Sequence, residues 1–397
     1  MVRLYMELGG WYSAGCSHHM LVYRQFTAQD WRKEESVPAQ TVLPRWRGFM
    51  LPDVIYPDLR GDWHEEDFQW MREFGFDYVA LPVNYKLLWE KDDLHRFHKP
   101  GLAKLDRGIE LCRKHGLHIC LNLYNAPGWD TATHEWGGKE WRGSGNNLFK
   151  DQESLDTFCF QWTTVAERYR EVPTKELSFH LLNEPPEVST EPPEVSSSTS
   201  FSPAGPTVPG TMMSLEDYDR VHRALAAAVR KGDPTADRVI LCDGLGYGFS
   251  PRPELVDLGI AQCCRGFWPH TVSHYEAWGA IAEPYPEAVW PDCVERDGQV
   301  WNRQTLEEHY RSWAELAEKG VGVLAFEIGG YNRTPHEVFL AWLRDVLDIL
   351  TRLNIGYVVW TFRGSFGIMD SGREDVEYED FHGHGLDRKM LSLLQEF

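Results

Sequence analysis

The sequence predicts an α/β protein, a single (β/α)8 barrel with a short N-terminal extension and long loops after strands four and six. Three observations carry this. Eight short apolar runs alternate with amphipathic helical stretches along the chain. The runs are apolar at nearly every position rather than every second one, the pattern of strands buried on both faces. The 397 residues suit one large domain, because barrels of this kind run to such lengths without splitting.

Residues 1–43 precede the first run and are expected to pack on the barrel as an extension, leaving residues 44–397 as the barrel itself. The strand candidates are Trp46–Leu51, Tyr78–Val83, His118–Leu123, Leu177–Leu182, Val239–Cys242, Ala261–Arg265, Val321–Phe326 and Gly356–Thr361. Between them the 3.6-residue periodicity predicts helices near Glu65–Phe74, Leu102–His115, Ser154–Tyr169, Leu215–Arg230, Thr305–Lys319 and His336–Leu353. The link between runs five and six is short, and Pro253–Leu258 has room for a turn of helix. Strand and helix in strict alternation imply parallel strands, and eight such units close on themselves. Residues 186–213, rich in Pro, Ser and Thr, form a loop directly after run four, and residues 268–304 form another after run six.

The formal net charge of −20 excludes a nucleic-acid binder, which needs a basic face, and disfavours anionic membranes. A neutral polymer such as a polysaccharide is not repelled. No run of 18 apolar residues suits a membrane span. The N-terminus lacks the sustained apolar core of a signal peptide, which predicts a cytoplasmic protein, or a secreted one whose leader has been removed. Eight cysteines without a CxxC pair, several inside apolar runs, read as buried free thiols. The 17 Trp, 16 Tyr and 19 Phe mostly serve a core, but an indole lining a groove can stack on the apolar face of a sugar ring.

In a barrel of this type chemistry sits at the C-terminal ends of the strands. The fourth run passes into Asn183-Glu184-Pro185, and the seventh into Glu327. Either Glu alone would serve as a helix cap or a solvated loop residue. Two at matching height, three strands apart, suit hydrolysis of a glycoside with retention, which needs two carboxyls about 5–5.5 Å apart.

These residues resemble glycoside hydrolase family 5, the cellulase family. Asn183-Glu184-Pro185 and Phe326-Glu327 carry the resemblance, with Arg47-Gly48-Phe49, Leu81-Pro82-Val83-Asn84-Tyr85, Ala126-Pro127-Gly128 and Trp360 in matching order from about Arg47 to the C-terminus. The resemblance implies that Glu184 is the acid/base and Glu327 the nucleophile. It implies that Asn183 hydrogen-bonds the substrate 2-hydroxyl and the nucleophile, and that Trp360 is the stacking floor. The substrate it implies is a β-1,4-linked glucan, with no metal or organic cofactor. A β-mannanase, an exo-acting β-glycosidase and a non-catalytic carbohydrate-binding barrel are the competing readings.

The chain departs from the family pattern at Ala80, where an Arg braces the nucleophile, at Tyr124, where a His stands, and at Arg265 and Phe267, in place of a His and a Tyr. Arg265 is expected to compensate by keeping Glu327 ionised, and Tyr124 or His270 to replace the lost hydroxyl. Further candidates for lining the substrate site are Ser273, His274 and Tyr275 after run six, Tyr85 and Trp89 after run two, and Trp129 and Trp136 after run three. Asp380, His382 and His384 hint at metal ligands, but with no fourth ligand at useful spacing they read as packing of a final loop.

Overall fold

The structure, a computed structural model, describes residues 42–55, 61–129, 147–188, 213–277, 287–295 and 297–397. The expected N-terminal extension lies outside the described residues apart from Val42 and Leu43, as do Cys16, Trp136 and most of the loop 186–213.

Eight parallel strands close into a barrel: β1 (Arg47–Met50), β2 (Tyr78–Asn84), β3 (His118–Asn125), β4 (Leu177–His180), β5 (Ile240–Asp243), β6 (Ala261–Gly266), β7 (Val323–Ile328) and β8 (Gly356–Val359), with β8 pairing back onto β1. Each expected run overlaps one of them, and β2, β3, β5, β6 and β7 continue one or two residues past the expected end. The helices are α1 (Glu65–Glu73), α2 (Lys99–His115), α3 (Gln152–Tyr169), α4 (Leu215–Gly232), α5 (Arg303–Glu318), α6 (His336–Arg352) and α7 (Arg388–Glu396). Helix α2 starts three residues earlier than its periodicity predicts, because Pro100 is tolerated in a first turn, where its missing N–H has no partner to lose. Two short turns, the helical turn Leu245–Gly248 and the 3-10 turn Pro253–Leu258, join β5 to β6.

Local chemistry sets the helix starts. Ser214 and Asp217 cap α4 reciprocally, and Asp151 caps α3 by accepting from the Ser154 amide. One core lies between the barrel and its helices, built from residues such as Phe68, Leu105, Trp162, Leu225, Trp313 and Trp342. A second fills the barrel interior with Met50, Tyr78, Ala80, Cys120, Leu241, Cys263, Leu324 and Phe326. Its floor is an aromatic stack in which His118 lies 4.1 Å from Trp46 and 5.4 Å from Tyr78. Burial pushes His118 down to about 4, so the ring is neutral and packs as an aromatic. Gly48 is required where β1 meets β2: a Cβ there would lie 1.7 Å from the Tyr78 carbonyl oxygen. The seven described cysteines are free, and all but Cys159 are buried.

Candidate active site

Glu184 and Glu327 occupy the C-terminal ends of β4 and β7, and both have left-handed backbone, with φ of 48° and 70°. For Glu327 the cause is a bulge: the register of β7 shifts between Phe326 and Ile328 against β8, and between Ala325 and Ile328 against β6. A bulge re-aims the side chain it carries. Strained non-glycine backbone at both carboxylates is the kind of cost that cluster at functional sites.

The two carboxylates meet at one guanidinium. Arg265, on β6 and 2 % exposed, places Nε 3.3 Å from Glu184 Oε1 and Nη2 3.3 Å from Glu327 Oε1. It also donates to Asn183 Oδ1 at 2.7 Å and to the Phe326 carbonyl at 2.8 Å. Its shortest bonds go to a third carboxylate, Asp243 at the end of β5: Nη1 to Oδ1 and Nη2 to Oδ2, each 2.6 Å. Asp243 accepts from the Glu184 amide at 2.7 Å and from His180 at 2.9 Å. Asn122 lies 2.8 Å from His180 Nδ1 and donates to it, which puts the ring proton on Nε2, facing Asp243. Asn122, His180 and Asp243 are completely buried.

Burial would raise the Asp243 carboxyl, but Arg265, His180 and the Glu184 amide reverse this and hold it below the usual carboxylate range. Burial raises Glu184, opposed by Arg265 and reinforced by Asp243. Burial raises Glu327 well above the ordinary range, opposed by Arg265 and reinforced by Glu184 and Asp243. The two glutamates therefore titrate as a pair that retains one proton above the usual carboxylate range. The largest cause for Glu184 is burial rather than the proximity of Glu327 expected from sequence. Glu327 Oε1 is buried and, among the described residues, receives no hydrogen bond.

The other expected residues divide. Tyr124, at the end of β3, and Trp360, just past β8, stack at 6.0 Å with their rings 19° apart. Trp360 is part-exposed and Tyr124 is buried. Trp129 is not an open platform: it is buried, and its Nε1 donates to the Asn183 carbonyl at 2.9 Å, which braces the β4 terminus. Trp89 is a core residue at 2 % exposure, stacked on Phe97 at 4.3 Å, and so cannot wall a groove. Tyr85 is buried at the start of the helical turn Tyr85–Leu88, and Tyr275 is half-buried. His270 and His274 are buried among aromatics, His270 edge-on to Trp268 at 3.9 Å and His274 against Phe267 and Phe366. Burial pushes His274 down to about 3, so it is neutral. Ser273 is buried and donates to the Phe267 carbonyl. His384 pairs with Asp370 at 2.9 Å and His382 stacks on Trp70, while the Asp380 carboxylate accepts from the Gly383 amide.

Sequence reasoning missed Asp243 and His180. The signal was present: Asp243 directly follows an apolar run at the chemical end of a barrel strand, and His180 interrupts one. His180, Asp243 and Cys263 are compact enough to hold a metal ion. Both Asp243 oxygens already receive hydrogen bonds, and burial holds the Cys263 thiol well above its usual value, so the donor set is that of an internal hydrogen-bonded unit.

The model for cellulase (glycosyl hydrolase family 5) matches residues 44–365. Endoglucanase C of Acetivibrio thermocellus is 31% identical over 341 residues, 79% of this chain and 88% of that protein. A beta-xylosidase of Phanerodontia chrysosporium is 25% identical over 312 residues, 75% of this chain and 56% of that protein. A crystal structure of a glycoside hydrolase superposes with a TM-score of 0.77 at 32% identity, covering 89% of this chain and 99% of that one.

Proposed function

The chain belongs to glycosyl hydrolase family 5 and is a glycoside hydrolase of endoglucanase-like type, and from that premise we propose that it cleaves β-1,4-linked glucan with retention, Glu184 acting as acid/base and Glu327 as nucleophile. The observation that carries this is the shared guanidinium, with carboxylates from β4 and β7 each 3.3 Å from Arg265. A pair that holds one proton supplies both roles. Protonated Glu184, 19 % exposed, gives its proton to the glycosidic oxygen as the bond to the anomeric carbon breaks. Ionised Glu327, 4 % exposed, bonds to that carbon through a carboxylate oxygen. In the second step Glu184, now a carboxylate, takes a proton from water as the water oxygen displaces Glu327. The product keeps the β configuration, and Glu184 regains its proton.

Arg265 tempers the charge on both glutamates through the cycle. The Asn183 amide, anchored through its oxygen on Arg265, is the group assigned to the 2-hydroxyl, and the Trp360–Tyr124 pair supplies an aromatic surface for the sugar ring. The test is a panel of glucans, mannans and xylans with product analysis, and proton NMR of the first anomer released. Internal cleavage of β-1,4-glucan with a β anomer first is the expected result. An α anomer first would overturn retention, and cleavage of mannan but not glucan would reassign the substrate.

A further inference from the structure

Asp243 has no part in the chemistry proposed for Glu184 and Glu327, yet Arg265 grips it more closely than either. Its two bonds to the guanidinium are each 2.6 Å, against 3.3 Å to each glutamate. It takes the Nη1–Nη2 edge, which leaves the Nε–Nη2 edge facing the glutamates. We infer that Asp243 is a positioning residue for glycoside hydrolysis, fixing which edge of Arg265 faces Glu184 and Glu327 and taking up most of the guanidinium charge. This rests on the roles proposed for the two glutamates.

Three features show that Asp243 is built for this. It is completely buried. It is held from its far side by Asn122 through His180, at 2.8 Å and 2.9 Å. It also accepts from the backbone amide of Glu184, so the same carboxylate sets the position of the acid/base residue and of its counter-ion. Every element around it contributes titratable or charged groups: Cys120 on β3, His180 on β4, Glu184 beyond it, Cys242 on its own strand, Tyr218 and His222 on α4, Cys263, Cys264 and Arg265 on β6, and Glu327 on β7. The thiols and the phenol are raised by burial and stay neutral, and His222 is pushed down to about 4 and stays neutral too. Arg265 is therefore the principal counter-charge of Asp243, ahead of His180, and an Arg265 paired with Asp243 has less charge to spend on ionising the glutamates.

Asp243→Asn removes the charge and keeps the shape, and kcat/KM against pH on an aryl β-glycoside reads the effect. Freed from Asp243, Arg265 favours the ionised form of both glutamates, so both limbs of the profile move to lower pH by about one unit. A fall in rate with both limbs in place would mean that Asp243 is structural only, and overturns the inference. If Asp243→Asn does not fold, carbon-13 carboxyl NMR of the unaltered protein carries the test. The Asp243 signal then stays ionised to below the ordinary carboxylate range while the glutamate pair loses its last proton above it. An Asp243 that titrates within or above the ordinary range overturns the inference. An unaltered protein that cleaves no β-glycoside at any pH instead defeats the roles given to Glu184 and Glu327, and this inference with them.

Discussion

Replacing Arg265 with Met removes one cation from beneath three carboxylates while keeping similar volume. The side chain is 2 % exposed and contacts Asp243, Asn183, Glu184, Glu327 and the Phe326 carbonyl. Removing one partner of a buried ion pair typically costs about 3–5 kcal/mol, because the remaining charge is stranded. The cost depends on pH. In the unaltered protein the folded Asp243 carboxyl is held below its unfolded value, so its contribution is present at neutral pH and lost as pH falls through the folded value. In Arg265→Met the largest opposition to burial is gone: Asp243 rises, held only by His180 and the Glu184 amide, and Glu184 and Glu327, already raised, rise further above their unfolded values. Their contribution is then complete only below about pH 4, near the ordinary carboxylate values, and is lost as pH rises. The stability gap between the two proteins should therefore open from acid to neutral pH. Urea unfolding followed by tryptophan fluorescence at pH 4.5 and pH 7.5 measures it, with a loss of about 3–5 kcal/mol at the higher pH and clearly less at the lower. An equal loss at both pH values, or under about 1 kcal/mol at pH 7.5, would refute the account of Arg265 as the counter-ion of this cluster.

Glu327→Gln should abolish turnover on every substrate with the fold intact, read by circular dichroism and rate. Glu184→Ala should spare aryl glycosides with good leaving groups far more than polysaccharide, with partial rescue by azide; equal loss on both would count against the acid/base role. Gly48→Ala places a Cβ 1.7 Å from the Tyr78 carbonyl, so β1 and β2 must part, and a loss of at least about 3 kcal/mol is expected in urea unfolding; near-neutral stability would show that the close approach is not real. His118, His222 and His309, each pushed down to about 4 by burial, stabilise the fold above the unfolded histidine value and lose that contribution as pH falls towards 4. His309→Gln should therefore flatten the stability–pH curve between about pH 6.5 and 4 by up to one proton, or about 1.4 kcal/mol per pH unit.

The barrel was legible because its signals are local and repeated: continuous apolar runs, helical periodicity between them, and two glutamates where runs four and seven end. The aromatics were less so. Trp89 and Trp129 sit at strand ends like groove residues, but a loop's position in sequence does not say which way its ring turns. Here Trp89 packs on Phe97 and Trp129 bonds under Asn183. His270 and His274 show the same limit, as rings in a polar-looking loop that lie buried against aromatics. Asp243 went unread because its partners come from other strands: the bond to Arg265 spans 22 residues, and that to His180 spans 63. The sequence does not show that the guanidinium 22 residues on turns back onto it.

The brief connection between β5 and β6 has a consequence for how the barrel assembles. Only two short turns separate the strand that carries Asp243 from the one that carries Arg265, so these charges are 22 residues apart, whereas Glu184 is 81 from Arg265. Closing a short loop loses less chain entropy than closing a long one, so the salt link can form within a single strand–turn–strand unit while distant segments are still unordered. In a folding order that pairs β5 with β6 first, the compensating cation would be in place before β4 and β7 arrive.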